Sequence, residues 1–222
     1  MFEGDINMTE ITTEQFAQEM KTFEGLCNKA QIDLQSYIDG CADLQLRDKL
    51  IRRSKEFDIF VNYIVTQTNF INAPASTRYH LCIPHGTLIH SNLVTKTAIK
   101  LNNALGCNIP LYKIILVALF HDLGKHDDYI INEPTEKQKA AGYKANPPYL
   151  FNNDNIYNEH ESQSLYIISQ FMHLDEDEWV AILYHNTPWD GVTKPAFKKN
   201  MLMTILQYSD YWSCLYLEDR PD

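Results

Sequence analysis

The stretch 116-LVALFHDLGK-125 decides how this chain folds, because an apolar run ends there in two polar residues, His121 and Asp122. Gly124 and Lys125 follow within three residues. The run before them has the composition of a core helix. Polar groups at the end of such a helix need partners, since burying them unpaired costs several kcal/mol. A metal ion is one partner that could bind both side chains.

Composition and charge narrow the classes of function. The chain has 222 residues, a formal net charge of −10 and 45% hydrophobic residues, which suits one large domain or one domain with an extension. The charge leaves no broad basic face, so long nucleic acid is not an expected partner. With no run of about 18 apolar residues and no secretory leader, we expect a cytoplasmic protein without membrane contact. The cysteines form no CxxC pair, which is typical of reduced cytosolic thiols: Cys27, Cys41, Cys82, Cys107 and Cys214.

Helical periodicity runs through almost the whole chain and predicts an all-α bundle. Thr12 or Thr13 is a suitable cap for the first helix. No run with strand periodicity stands out, and the polar segment 126–155 reads as a long loop of the functional or mobile kind. We expect residues 1–73 to form a helical extension packed on a core of residues 74–222. Further helices are predicted at 44–67, 90–106, 110–124, 158–172, 175–186 and 198–219.

The predicted helices carry imidazoles and carboxylates at their ends or on otherwise apolar faces. Any one such histidine is more often a cap or a satisfied core group than a ligand. Together, however, they form a donor set that suits Fe, Mn, Zn, Ni or Co rather than Ca. Two metals that shared Asp122 would use all six groups and hold a water between them as nucleophile. The six candidate metal ligands are His90, His121, Asp122, His160, His185 and Asp210.

The order of these residues resembles the H...HD...D signature of the HD superfamily of metal-dependent phosphohydrolases. "FHDLGK" is close to that family's most repeated string, and His160 and His185 resemble the two extra histidines of its two-metal branches. The likeness covers about residues 74–217. The stretch 74-PASTRYHLCIPHGTLIHS-91 further resembles HD-domain 3′-to-5′ exoribonucleases and related phage or bacterial HD proteins, although His85 and Gly86 stand where that group usually has two glycines. The oligonucleotide-binding barrel that usually accompanies that domain has no counterpart here.

The resemblance implies roles for individual residues. His90, His121, Asp122 and Asp210 would hold a first divalent metal, and Asp122, His160 and His185 a second. The metals would be Fe, Mn, Ni, Co or Zn, with Mg possible. Asp122 and Lys125 would take part in catalysis, with Lys125 meeting a phosphate oxygen as a point charge. The alternative for Lys125 is a solvated lysine that interacts with a helix end.

Substrate-binding residues are predicted at Lys125 and in two loops, residues 72–86, where Pro74, Pro84 and Gly86 break the helical pattern, and residues 126–155. In each case the alternative is solvated surface for the basic side chains, or anchoring of the loop to the core for the aromatic ones. The candidates for phosphate are Arg78, His80, His85, Lys125, Lys137, Lys139 and Lys144, and those for stacking on a base are Tyr143, Tyr149 and Phe151.

Three classes of function remain open at this stage. The first is a phosphohydrolase that uses a metal-bound hydroxide to cleave phosphoester or phosphoanhydride bonds of nucleotides or short oligonucleotides, with 3′-5′ exonuclease action on longer single strands as a variant. The second is a diiron oxygenase on the same scaffold, which the ligand set does not exclude. The third is a non-catalytic binding module, against which the intact ligand set argues. A small phosphorylated substrate is the expected partner, and the oligomeric state is not predicted.

Overall fold

The computed structural model describes residues 11–155, 159–187 and 200–218. Within them the chain forms eight α-helices and two short strands. In chain order these are α1 (Thr13–Gly40), α2 (Leu44–Gln67), α3 (Gly86–Ala104), α4 (Leu111–Phe120), β1 (Tyr129–Ile131), α5 (Glu136–Ala140), β2 (Tyr149–Phe151), α6 (His160–Ser169), α7 (Glu176–Leu183) and α8 (Met201–Trp212). A 3₁₀ turn at Leu123–Asp127 follows α4, and a π-helical turn at Ser213–Leu217 follows α8.

Helix α4 lies at the centre of the bundle because nearly all its side chains are apolar. Every residue from Ile114 to Phe120 is at most 1% exposed. The helix packs against α1, α3, α7 and α8. The Phe120 ring lies 4.8 Å from the ring of Phe60 in α2 and 6.1 Å from that of Phe23 in α1, between ring centroids. This packing fixes the end of α4 and therefore the position of the two polar residues that follow it.

The predicted all-α fold is confirmed, with one small addition. Strands β1 and β2 form a two-stranded antiparallel sheet in which Tyr129 pairs with Phe151 and Ile131 with Tyr149. The expectation that segment 126–155 is a loop without strands was therefore wrong. Strands of three residues are too short to show a two-residue period, which explains the error.

The two N-terminal helices share one hydrophobic core with the later ones. Helix α1 contacts α3 and α4 as well as α2. The division of the chain at residue 73 stays a prediction, and residues 1–10 of the predicted extension lie outside the described residues. So do residues 198, 199 and 219 of the predicted helix at 198–219. No helix in the described part of the chain is both long enough and apolar enough to span a membrane.

Several helix ends near the polar residues differ from the prediction. Helix α7, predicted to reach residue 186, ends at Leu183, so His185 follows the helix. Helix α3 begins at Gly86, where a side chain would meet the backbone of Leu81 and Ala75. His85 before it has a φ of 67°, a left-handed conformation that ends the loop. His90 therefore lies one turn inside α3 rather than at its start. Helix α4 ends at Phe120, so Gly124 lies in the 3₁₀ turn and does not end the helix as predicted.

Candidate metal centre

The structure brings the six predicted ligands together from five places in the bundle. His90 lies in α3, His121 and Asp122 follow α4, His160 opens α6, His185 follows α7 and Asp210 lies in α8. Ligand atoms of His90, His121 and Asp210 lie within 4.8 Å of one another, and so do those of His121, Asp122 and His185. We call these six residues the metal centre.

Asp122 occupies the middle of the metal centre. Its Oδ2 lies 3.3 Å from His90 Nε2 and 3.5 Å from His121 Nε2. Its Oδ1 lies 3.1 Å from His160 Nε2 and 3.5 Å from His185 Nε2. Each oxygen of one buried carboxylate thus faces its own pair of imidazoles. A carboxylate that bridges two metal ions needs this arrangement.

The histidines are oriented by bonds on their outer nitrogens. His121 Nδ1 lies 2.8 Å from the carbonyl oxygen of Ala118, and His185 Nδ1 lies 2.8 Å from that of Ile182. A carbonyl oxygen only accepts, so each Nδ1 carries a proton and, in the neutral ring, Nε2 presents the lone pair. Outer bonds of this kind fix the tautomer and direction of metal-binding histidines.

His90 is oriented in a different way, by a carboxylate. Its Nδ1 lies 2.6 Å from Oε1 of Glu218, just beyond the π-helical turn. The Nε2 of His90 then faces His121 Nε2 at 3.2 Å and Asp210 Oδ1 at 3.3 Å. Glu218 was not among the predicted site residues.

This convergence of acceptors fits a metal ion. The Nε2 atoms of His90 and His121 approach each other to 3.2 Å, with carboxylate oxygens around them. Asp122 Oδ1 is buried, and no donor reaches it with hydrogen-bond geometry. Buried acceptors without donors are costly, and a divalent cation would satisfy all of them at once.

Burial and nearby charges shift the pKa values of the metal centre in different directions. They favour a neutral His121 and an ionised Asp122, whereas the pKa values of His90 and His185 are raised. Burial lowers the pKa of His121 to about 3, so this ring is neutral at physiological pH. Burial would raise the pKa of Asp122, but Lys125 and the surrounding histidines lower it well below its usual value. Burial alone would lower the pKa of His185, but the negative charge of Asp122 raises it by more, so the net shift is upward. The carboxylates are thus ionised and attract positive charge to the imidazole nitrogens.

Lys125 is part of the metal centre's surroundings rather than a solvated surface residue. Its Nζ lies 2.7 Å from Asp122 Oδ2, and its side chain is 12% exposed. Burial would lower its pKa, but Asp122 raises it above the usual value, so the ammonium stays charged. The alternative of a solvated lysine at a helix end does not fit this burial.

Two further residues hold the turn that carries His121 and Asp122. The Ser164 hydroxyl accepts a bond from the backbone N–H of Gly124 at 2.8 Å and lies 2.8 Å from the carbonyl oxygens of both His121 and His160. A side chain at position 124 would collide with the backbone of His160. These contacts connect the two halves of the metal centre. The signal in the sequence was a glycine two residues after the His–Asp pair that ends the apolar run.

Predicted substrate residues lie in different settings. His80 is half-buried, and its ring centroid lies 5.3 Å from that of His90. The ring of His85 points elsewhere: its Nδ1 lies 2.9 Å from the carbonyl oxygen of Ile71, and it packs on Phe16 at 4.2 Å. His85 thus has a structural task, while its role toward a substrate stays a prediction. The exposed candidates are Arg78, Lys137, Lys139, Tyr143, Lys144 and Phe151.

A cleft opens beside the metal centre. Its volume is about 460 Å³, within the range of small-molecule sites. His185 and Asp210 line it together with aromatic side chains, so a molecule in the cleft would reach two of the predicted ligands. The other residues of this cleft were not predicted as site residues; they are Asn186, Thr187, Gln207, Tyr208, Tyr211 and Cys214.

Comparison with known proteins agrees with this geometry. The family model of the HD domain matches residues 87–211, more than half of the chain. No curated protein and no solved structure matches the chain. The matched range begins after the proline-containing loop and contains all six residues of the metal centre. The chain therefore belongs to the HD superfamily of metal-dependent phosphohydrolases.

Proposed function

We propose that this protein is a two-metal phosphohydrolase that cleaves phosphoester or phosphoanhydride bonds of nucleotides or short oligonucleotides. The observation that carries the proposal is the position of Asp122, whose two oxygens face two separate pairs of imidazoles. HD domains bind divalent metals, and the donor set here would suit Fe, Mn, Ni, Co or Zn.

The six residues divide into two ligand sets in this proposal. His90, His121, Asp122 and Asp210 would hold one ion. Asp122, His160 and His185 would hold the other, with Glu161 as a further donor because its ligand atom lies within 4.8 Å of those of the two histidines. When bound, such ions activate water as a nucleophile and stabilise charge on phosphoryl oxygens.

Lys125 supplies a fixed positive charge beside the two ligand sets. Its ammonium is bound to Asp122, and the side chain is largely shielded from water. A phosphate oxygen that approaches Asp122 comes close to this charge, which is stronger in a water-poor site than at an exposed surface. We therefore propose that Lys125 binds the phosphoryl group during the reaction.

The cleft between α7 and α8 favours a small substrate. Its volume suits a mononucleotide or dinucleotide, and Tyr208 and Tyr211 offer aromatic faces on which a base could stack. The net charge of −10 works against long polyanions. The exposed Lys137 and Lys144 lie in the β1–β2 connection, where they could meet phosphate if this segment closes over the substrate.

A phosphate-release screen tests the proposal. The protein is stripped with chelator, reloaded with Mn²⁺ or Fe²⁺ under anaerobic conditions, and offered mononucleotides, cyclic nucleotides, dinucleotides and long single strands, with O₂ uptake measured in parallel. We expect metal-dependent release of phosphate or nucleotide from the short substrates, abolished by chelator. Oxygen uptake without hydrolysis, or hydrolysis that persists without metal, would overturn the proposal.

A further inference from the structure

The outer side of His90, away from Asp122, holds a second group of metal-binding side chains. Glu218 lies there with its side chain fully buried, and its Oε1 accepts the bond from His90 Nδ1 at 2.6 Å. One ligand atom from each of His80, His90, Cys214 and Glu218 lies within 4.8 Å of the other three. The reaction proposed above uses only His90 of these four.

Two atoms in this group lack partners. Oε2 of Glu218 is buried without a hydrogen-bond partner, and so is Nε2 of His80. Leaving a buried carboxylate oxygen and a buried imidazole nitrogen unpaired costs free energy, so a pair of them in one cluster calls for an explanation. A cation bound between them would satisfy both atoms.

The donors define the kind of cation. His90 Nδ1 is occupied by its bond to Glu218, which leaves an imidazole nitrogen, a thiol sulfur and a carboxylate oxygen. Cys214 lies in the π-helical turn one turn before Glu218, so both come from one short segment while His80 comes from the loop before α3. One nitrogen, one sulfur and one oxygen donor suit a borderline-soft ion such as Zn²⁺, with a fourth position open to water.

We propose that His80, Cys214 and Glu218 form an additional Zn²⁺-type site on the outer side of the His90 ring. The site adjoins the metal centre, because the thiol of Cys214 donates to Asp210 Oδ1 at 3.5 Å. The site does not depend on the proposed hydrolysis, because binding alone satisfies the unpaired atoms.

Binding to the full-length chain tests this site without any activity assay. Metal-stripped protein is titrated with Zn²⁺ to count bound equivalents, and with Co²⁺ or Cd²⁺ to record sulfur-to-metal charge-transfer absorption. The test variants are Cys214→Ser, which keeps the size of the side chain, and Glu218→Gln, which keeps an oxygen for His90 Nδ1. The matched control is Cys107→Ser, since Cys107 is also half-buried and lies outside both clusters.

We expect wild type and the Cys107→Ser variant to show the charge-transfer band. Cys214→Ser should lose the band and one metal equivalent while keeping the other equivalents, and Glu218→Gln should weaken binding at the same equivalent. The proposal is overturned if wild type shows no thiolate band, if the band persists in Cys214→Ser, or if that variant loses every metal at once. The last result would mean that Cys214 serves the metal centre or the fold and not a separate site.

Discussion

Two buried polar clusters of this protein differ in how their buried carboxylates are satisfied. In the first, Arg53 of α2 donates to Glu178 of α7 at 2.5 Å and lies over the Tyr112 ring at 5.3 Å. The other oxygen of Glu178 accepts the backbone N–H of Asp175 at 2.8 Å. We call this group, together with Lys49 and Lys113 around Asp175, the Arg53 cluster. The second is the metal centre.

Both clusters are buried, but only one is complete without an added ion. Glu178 is 0% exposed, and each of its oxygens has a donor from the chain. Asp122 is 1% exposed, and its Oδ1 has none. Around it, imidazole nitrogens lie within 3.5 Å of its carboxylate oxygens. The comparison teaches that burial of charge has two solutions here. The Arg53 cluster is satisfied by cations of the chain, whereas the metal centre has Lys125 on one oxygen of Asp122 and still leaves the other oxygen for a cation from outside.

Removal of Asp122 should have the largest effect on function. Asp122→Ala takes a shared ligand from both proposed ions, so hydrolysis should fall by at least roughly a thousandfold and both metals should be lost. Initial rates and elemental analysis of the same sample provide the measurement. A variant that keeps two metals per chain would show that Asp122 does not bridge.

Removal of Arg53 should have the largest effect on stability. Arg53→Met leaves Glu178 buried without its cation, and the free energy of unfolding should fall by about 3–5 kcal/mol in urea titrations. The matched control is Lys49→Met, because Lys49 is 53% exposed and its bond to Asp175 should contribute under about 1 kcal/mol. Equal losses in the two variants would contradict the contrast between them.

The chain itself supplies one cation to the metal centre, Lys125. Its substitution tests whether this cation binds the phosphoryl group of the substrate. Lys125→Ala removes a charged partner of the phosphoryl group, so kcat/KM should fall about tenfold to a hundredfold, equal to about 1.5–3 kcal/mol. Bound metal should be unchanged when measured beside the rates. Loss of metal together with activity would assign Lys125 to the support of Asp122 instead.

Gly124 tests the link between the halves of the metal centre. In Gly124→Ala the new methyl group meets the His160 backbone, so the free energy of unfolding should fall by about 1–3 kcal/mol and the affinity for the second metal should weaken. Gly25→Ala in α1 is the control, because a side chain there meets open space. That variant should be stabilised by about 0.5–1 kcal/mol. A tolerated Gly124→Ala with full metal content would remove the proposed constraint.

The smallest effect on stability should come from Asp175, at the partly exposed edge of the Arg53 cluster. Burial would raise the pKa of Asp175, but Lys113 and Lys49 lower it to about 2. A lowered pKa means that Asp175 stabilises the fold above its unfolded pKa and loses this contribution as pH falls from about 4 to about 2. Asp175→Asn should therefore cost about 1 kcal/mol or less at neutral pH and flatten stability between those pH values. Unfolding curves that depend on pH equally in variant and wild type would refute this assignment.

Much of the metal centre could be predicted from the sequence because its ligands lie at or near the ends of strongly periodic helices. The apolar run before His121 marks a core helix, and the polar pair at its end must meet others like it. The same reasoning could not find Glu218, which bonds His90 from 128 positions away in the chain. Gly124 and Ser164 were missed for a related reason, since their contacts join α6 to the turn after α4.

The sequence was least informative where structure depends on short or irregular backbone. The pairing of Tyr129 with Phe151 involves strands of three residues, below the length at which alternation can be recognised. The early start of α3 follows from the left-handed His85, a conformation that periodicity does not report. The burial of Lys125 could not be predicted either. Helical spacing shows on which face of a helix a residue lies, but it does not show which carboxylate its side chain will contact.

Metal-dependent unfolding tests most directly whether the cluster around Asp122 is built for ions. Chelator-treated wild type, Arg53→Met and Asp122→Ala are unfolded in urea over a series of free Mn²⁺ concentrations. The free energy of unfolding of wild type and Arg53→Met should rise with metal, by about 2.7 kcal/mol per ion at a hundredfold excess over Kd, while Asp122→Ala should not respond. A wild-type free energy of unfolding that does not change with metal would contradict the account.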